Sequence, residues 1–162
     1  DFMQGYANFQ MSPSYRLDQT YTEKAVEAFQ LFVNTYPTSD RVEKCNALID
    51  QMRIKLEQKA YAQATLYYDL RQYQSATQSF ENLLKDFPES IHSEDVRYYI
   101  TKASYNLASN SIYEKQGERY ELAYKNSIDF LSRYPKSDRA KEVKSIKENS
   151  DKKIKNIANV RY

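Results

Sequence analysis

Three times along the chain an aromatic residue stands directly before a proline, with a serine two places after it. These are Tyr36-Pro37-x-Ser39, Phe87-Pro88-x-Ser90 and Tyr134-Pro135-x-Ser137. Each follows a run of apolar residues, and in each an alanine lies twelve residues before the proline. The first run is Ala25-x3-Phe29-x2-Phe32, the second Ala76-x3-Phe80-x2-Leu83, the third Ala123-x6-Phe130. Steps of three and four place such residues on one face of a helix. The aromatic-proline pair ends that helix, because proline lacks the next N–H donor and disfavours helix in the residue before it. The serine is expected to cap the helix that follows, helped by first-turn acids such as Asp40 and Asp138. The small alanine lets a partner helix come close.

A motif that recurs this regularly marks a helical repeat. The middle copy fits the frame of about 34 residues of a tetratricopeptide repeat without gaps. Its first helix carries Ala60, Ala64 and Tyr67, with Ala60 where a large aromatic is usual, and its second carries Ala76, Phe80, Leu83 and Pro88. The three prolines are 51 and 47 residues apart, so the other copies must hold insertions. One is expected at Ser12 to Gln19, between a short helix with Tyr6 and Phe9 and a helix from near Tyr21; another is expected around Glu114 to Glu118. The implied class is all-α, tetratricopeptide helix-turn-helix repeats forming an α-superhelix, in a single domain over 1–162. Its repeats run over about 1–39, 40–90 and 91–137, with a C-terminal helix at 138–160. Neither glycine nor proline occurs between Pro37 and Pro88. Apolar positions from Val42 to Tyr67 continue at helical steps there, compatible with one long helix or with two that kink near Lys55 to Lys59.

Composition agrees with this class. Two glycines and four prolines in 162 residues are far too few for a chain of strands and tight turns. Sixteen tyrosines and no tryptophan suggest many half-buried rings with the hydroxyl in water. The formal charge of +2 gives no support for nucleic-acid binding. No run of about 20 apolar residues is present to span a membrane as a helix. The chain opens on Asp1-Phe2, inside a helix, and reads as a processed chain whose N-terminal part is missing.

The groups that carry chemistry are sparse. His92 is the only histidine and stands in a loop after Pro88, with no second histidine or cysteine cluster to complete a metal site. Glu94 and Asp95 near it suit the first turn of a helix better than a triad. Gly5 and Gly117 are too far apart for a phosphate-binding loop. Cys45, the single cysteine, falls on the apolar stripe and is expected in the core. The expectation is a binding scaffold with no active site, no metal and no cofactor.

Charge is uneven. From Lys136 to Tyr162 nine Lys/Arg face four Asp/Glu. Ala140, Val143, Ile146, Ile154, Ile157 and Ala158 recur at helical spacing, with Lys141, Lys144, Lys147, Lys152, Lys153 and Lys155 around them. This fits a last helix packed on the array with a solvated lysine face, or a basic surface for anionic headgroups or an acidic partner.

Several stretches resemble the BamD family of tetratricopeptide lipoproteins. They are Leu17-Asp18-Gln19-x-Tyr21-Thr22-x2-Ala25, Phe29-x2-Phe32-x3-Tyr36-Pro37-x-Ser39, Ala64-x2-Tyr67-Tyr68 and Gln116-x-Glu118-Arg119-Tyr120-x2-Ala123. The resemblance runs over nearly the whole chain. It implies a periplasmic subunit of the outer-membrane β-barrel assembly (BAM) complex, lipid-anchored to the outer membrane through an N-terminal cysteine not present in this chain. The implied partners are the POTRA domains of BamA, other BAM subunits and unfolded outer-membrane proteins. Another periplasmic tetratricopeptide lipoprotein, an adaptor in a cell-envelope or division complex, is the alternative. For partner contacts the helix-joining turns are the expected anchors, at Arg71 and Tyr73 and at Gln116, Glu118, Arg119 and Tyr120. Arginine and tyrosine are enriched among interface hot spots, although Tyr73 and Tyr120, each three residues before a packing alanine, also suit a core.

Overall fold

The computed structural model describes residues 2–160 as seven α-helices, with no strand among them. They are α1 (Phe2–Met11), α2 (Thr20–Thr35), α3 (Val42–Asp69), α4 (Tyr73–Asp86), α5 (Ser93–Ser109), α6 (Tyr113–Arg133) and α7 (Ala140–Val160). The class is a tetratricopeptide-like helical repeat. The long apolar run after Pro37 is one helix, α3, of 28 residues, or about 42 Å at 1.5 Å per residue. The chain divides into two compact units, Asp1–Ala60 and Tyr61–Tyr162.

The three proline motifs build the same turn. The aromatic N–H closes the last helical bond, from Tyr36 to Phe32 O, Phe87 to Leu83 O and Tyr134 to Phe130 O, at 2.9, 2.9 and 2.8 Å. The serine N–H then returns to the aromatic carbonyl, at 3.1 Å for Ser39, 3.0 Å for Ser90 and 3.2 Å for Ser137. Proline's fixed φ suits the second position of that four-residue turn. The serine hydroxyl does not cap the next helix in the expected way. Its Oγ accepts from the N–H two residues on, Arg41, His92 and Arg139, at 3.3, 3.1 and 3.1 Å. Its carbonyl accepts from the third residue on, Val42, Ser93 and Ala140, where the helix begins. The serine therefore sets up a short turn ahead of the helix, the local bonding that this side chain favours outside helices.

In the first unit, α1, α2 and the first part of α3 enclose a core of Phe2, Ala25, Phe29, Cys45, Leu48, Ile49 and Met52. Cys45 is fully buried, and burial pushes its thiol pKa up, which keeps it protonated and inert. The α1–α2 connection, Ser12 to Gln19, is organised by a side chain: Gln19 is 4% exposed and its Nε2 donates to the carbonyls of Ser14 and Leu17, at 2.8 and 2.9 Å. Lys59 Nζ also donates to Leu17 O at 2.6 Å, tying α3 to the same loop.

In the second unit α4 packs on α5, α5 on α6, α6 on α7 and α7 back on α5. Phe80, Val96, Phe130 and Val143 are completely buried, one from each helix. Between α5 and α7 the Tyr98 hydroxyl donates to Glu142 Oε2 at 2.6 Å, and Lys102 Nζ lies 3.1 Å from Glu142 Oε1. Arg139 pairs with Asp95 and lies over the Tyr98 ring.

A candidate partner-binding edge in the second unit

The two helix-joining turns singled out in the sequence lie at one edge of the second unit. The antiparallel order of α4, α5 and α6 brings the end of α3 beside the end of α5. Asn106 Nδ2 on α5 reaches the Tyr68 hydroxyl on α3 at 3.4 Å, and Tyr68 also meets the Tyr99 and Tyr73 rings edge-on at 5.1 and 5.6 Å. Burial raises the Tyr68 pKa, so its hydroxyl stays protonated there.

The first turn ends α3 without glycine. Arg71 has φ 58°, in the left-handed region. The N–H of Gln72 bonds to Tyr67 O and that of Arg71 to Tyr68 O, both at 2.9 Å. This is a Schellman ending, in which the left-handed position usually falls to glycine. Arg71 is exposed, and Tyr73, first residue of α4, is half-buried.

The second turn is shorter than the sequence suggests. The expected insertion around Glu114 to Glu118 is helical, since α6 already begins at Tyr113 and only 110–112 join it to α5. No residue there opposes a helix strongly: Glu114 suits the positive end of its dipole, and Gly117 is tolerated within a helix. Gln116, Glu118, Arg119 and Tyr120 therefore stand on the first two turns of α6. Gln116 Nε2 donates to Ser111 O at 2.9 Å, as Gln19 does to the carbonyl five residues before it. Arg119 Nη1 donates to Ser111 Oγ, and Ser111 Oγ to Leu107 O. Glu118 is exposed and Arg119 half-buried. Tyr120 is 3% exposed; its ring packs with Ala108 and Ile157 and meets Tyr105 at 5.9 Å, and its hydroxyl donates to Ser109 Oγ at 3.2 Å. Tyr120 thus holds the edge in place from inside.

Beside these residues, large apolar side chains reach solvent among exposed polar ones such as Gln72, Glu114 and Lys115. Leu66 and Leu70, one turn apart on α3 and its end, are 55% and 59% exposed, and Ile112 and Tyr113 are 63% and 48% exposed. None of the four is among the residues expected at the turns from the sequence. The available signal was apolar residues at helix ends, in Leu70-Arg71-Gln72 and Ile112-Tyr113, where turns are ordinarily polar. His92 lies elsewhere, at the α4–α5 turn with its ring 5.3 Å from that of Tyr61. Among the described residues no three of His, Cys, Asp or Glu are grouped to hold a metal ion.

A family model described as "YfiO: Outer membrane lipoprotein" matches residues 1–111. The chain belongs to the YfiO family of outer-membrane lipoproteins. That is the BamD/YfiO family of tetratricopeptide-like proteins. The match includes Arg71 and Tyr73 but stops before Gln116, Glu118, Arg119 and Tyr120. No curated protein matches the chain. Among the described residues no helix is long and apolar enough to cross a membrane.

Proposed function

We propose that this YfiO-family chain is the BamD-type subunit of the outer-membrane β-barrel assembly complex. It is a non-enzymatic scaffold that binds the POTRA domains of BamA, contacts other BAM subunits and assists insertion of unfolded outer-membrane proteins. It works at the periplasmic face of the outer membrane through an N-terminal lipid anchor. Its repeats are taken as 1–39, 40–90 and 91–137 with a terminal helix at 138–160. Family membership carries this reading, and the edge of the second unit supports it. There Leu70, Ile112 and Tyr113 supply apolar contact area beside Arg71 and Arg119, the mixture typical of interface anchors. In this arrangement Arg71, Tyr73, Glu118 and Arg119 touch the partner, while Gln116 and Tyr120 fix the turn behind them.

Affinity capture of the full-length protein from outer membranes tests the assignment. BamA and its associated subunits should enrich, and enrichment of a different envelope complex in their place overturns it. A variant carrying Leu70→Asp and Ile112→Asp tests the edge. Both residues are exposed, so the fold should persist by circular dichroism while capture of BamA falls at least tenfold. Undiminished capture removes this edge from the interface.

A further inference from the structure

The last helix carries a feature that neither the fold nor the proposed partner edge uses. The apolar side of α7 is consumed by packing, with Val143, Ile146, Ser150 and Ile157 all buried. Directly opposite, Lys141, Lys144, Glu148, Lys152 and Lys155 follow at steps of three, four, four and three, and all five are exposed. At 100° per residue these positions fall within one narrow stripe, and Lys141 to Lys155 spans about 21 Å along the axis. Lys155 is drawn to Asp151 at 2.6 Å, and Lys147 leans over the Tyr124 ring at 5.8 Å. Glu142 is engaged by Tyr98 and Lys102. Among the described residues no ion pair engages Lys141, Lys144 or Lys152. Six lysines against three acids on this one helix contrast with a chain whose total is only +2.

We propose that this stripe of α7 docks on a bilayer surface bearing anionic phospholipid headgroups. Its composition separates a lipid surface from a protein partner. Protein interfaces centre on aromatic and apolar anchors and are depleted in lysine, and this stripe holds no apolar residue. With its apolar side buried in the fold, α7 has nothing to insert between acyl chains, so its attachment is electrostatic and rests on lysines near the headgroup plane. Membership in an outer-membrane lipoprotein family places the chain beside such a surface. The inference rests on that membership and not on BamA as partner.

The test is co-sedimentation of the unacylated chain with vesicles of phosphatidylethanolamine and phosphatidylglycerol, beside vesicles of phosphatidylcholine alone. Binding should be confined to the anionic vesicles and should vanish as salt shortens the screening length. Lys141→Gln, Lys144→Gln and Lys152→Gln combined should lower partition by about tenfold or more, with the helical spectrum unchanged. An equal charge loss away from α7, Lys85→Gln with Lys115→Gln and Lys125→Gln, should leave most binding intact. Equal binding to both vesicle types overturns the proposal, as does an α7 variant that binds like the parent or a control that falls equally. Failure here would leave capture of BamA unaffected, so the two readings fail separately.

Discussion

Arg71 occupies a backbone conformation that costs an L-residue about 1–2 kcal/mol relative to the right-handed helix. Its φ of 58° completes two hydrogen bonds that end α3, so the chain must adopt it whatever side chain stands there. Glycine would remove the strain and regain part of it as unfolded-state entropy. Arg71→Gly should therefore raise the stability of the second unit by about 0.5–1 kcal/mol in urea unfolding. If the guanidinium contacts the partner, the same variant captures less BamA although it is more stable, which separates function from folding. Gly5 poses the opposite case. A Cβ there would stand 2.9 Å from two ring atoms of Phe29, which is completely buried and has nowhere to move. Gly5→Ala gains about 1 kcal/mol of helix propensity and loses about 1–3 kcal/mol to overpacking. A net loss of stability is the expected outcome, read as a lower thermal midpoint.

Among the elements, those defined by local chemistry were legible in advance. Each aromatic-proline-x-serine turn depends on residues within a few positions of one another, so three helix ends could be placed from the sequence. The helices that follow begin at Val42, Ser93 and Ala140, beyond where a serine cap would start them, and leave Asp40 and Asp138 ahead of the first turn. The start of α6 could not be placed this way, because Tyr113 to Glu118 contains neither a strong breaker nor a strong cap, and Ser111 draws its partners from Leu107, Gln116 and Arg119 only once folded. The fate of individual tyrosines was equally hidden. Tyr73 and Tyr120 hold the same place relative to a packing alanine, yet Tyr73 is half-buried and Tyr120 almost fully buried. Tyr120 is enclosed by Ala108 of α5 and Ile157 of α7, and periodicity within one helix cannot report on such neighbours. The pairing of α5 with α7 is a second such tertiary fact. A hydrogen bond from Tyr98, with Lys102 close by, holds the Glu142 carboxyl pKa below its ordinary value. A depressed carboxyl stabilises the fold above its unfolded pKa, and the contribution is lost as pH falls through the folded value. Because the pair is partly exposed, Glu142→Gln should cost only about 0.5–1 kcal/mol at neutral pH. The difference between variant and parent should begin to shrink as the pH falls below the ordinary glutamate pKa of about 4.3 and close only below the depressed folded value, where both side chains are uncharged. Urea unfolding at a series of pH values measures it; a gap that stays constant with pH would mean that the ion pair contributes nothing.

At the scale of the whole molecule the two compact units differ in how much core each commands. Tyr61–Tyr162 buries Phe80, Leu83, Val96, Phe130 and Val143 almost completely, drawn from four successive helices. Asp1–Ala60 has Phe29, Cys45 and Met52 at that depth. A chain of about 60 residues buries too small a share of its surface to be more than marginally stable alone, while about 100 residues suffice for an independent domain. Residues 61–162 expressed alone should therefore give a helical spectrum and a cooperative melt, and residues 1–60 a broad, weak transition at best. The functional consequence follows from where the edge lies. Arg71, Tyr73, Ile112, Tyr113, Glu118 and Arg119 all belong to the second unit, as does every bond described for the two turns, from Gln72 to Tyr67 through Arg119 to Ser111. The isolated second unit, once its melt shows it folded, should capture BamA within about tenfold of the full chain, a difference of about 1.4 kcal/mol in binding free energy. If it folds and captures nothing, the contacts that matter lie in residues 1–60, and the edge carrying Arg71 and Arg119 is a structural end of the array with no part in holding the partner.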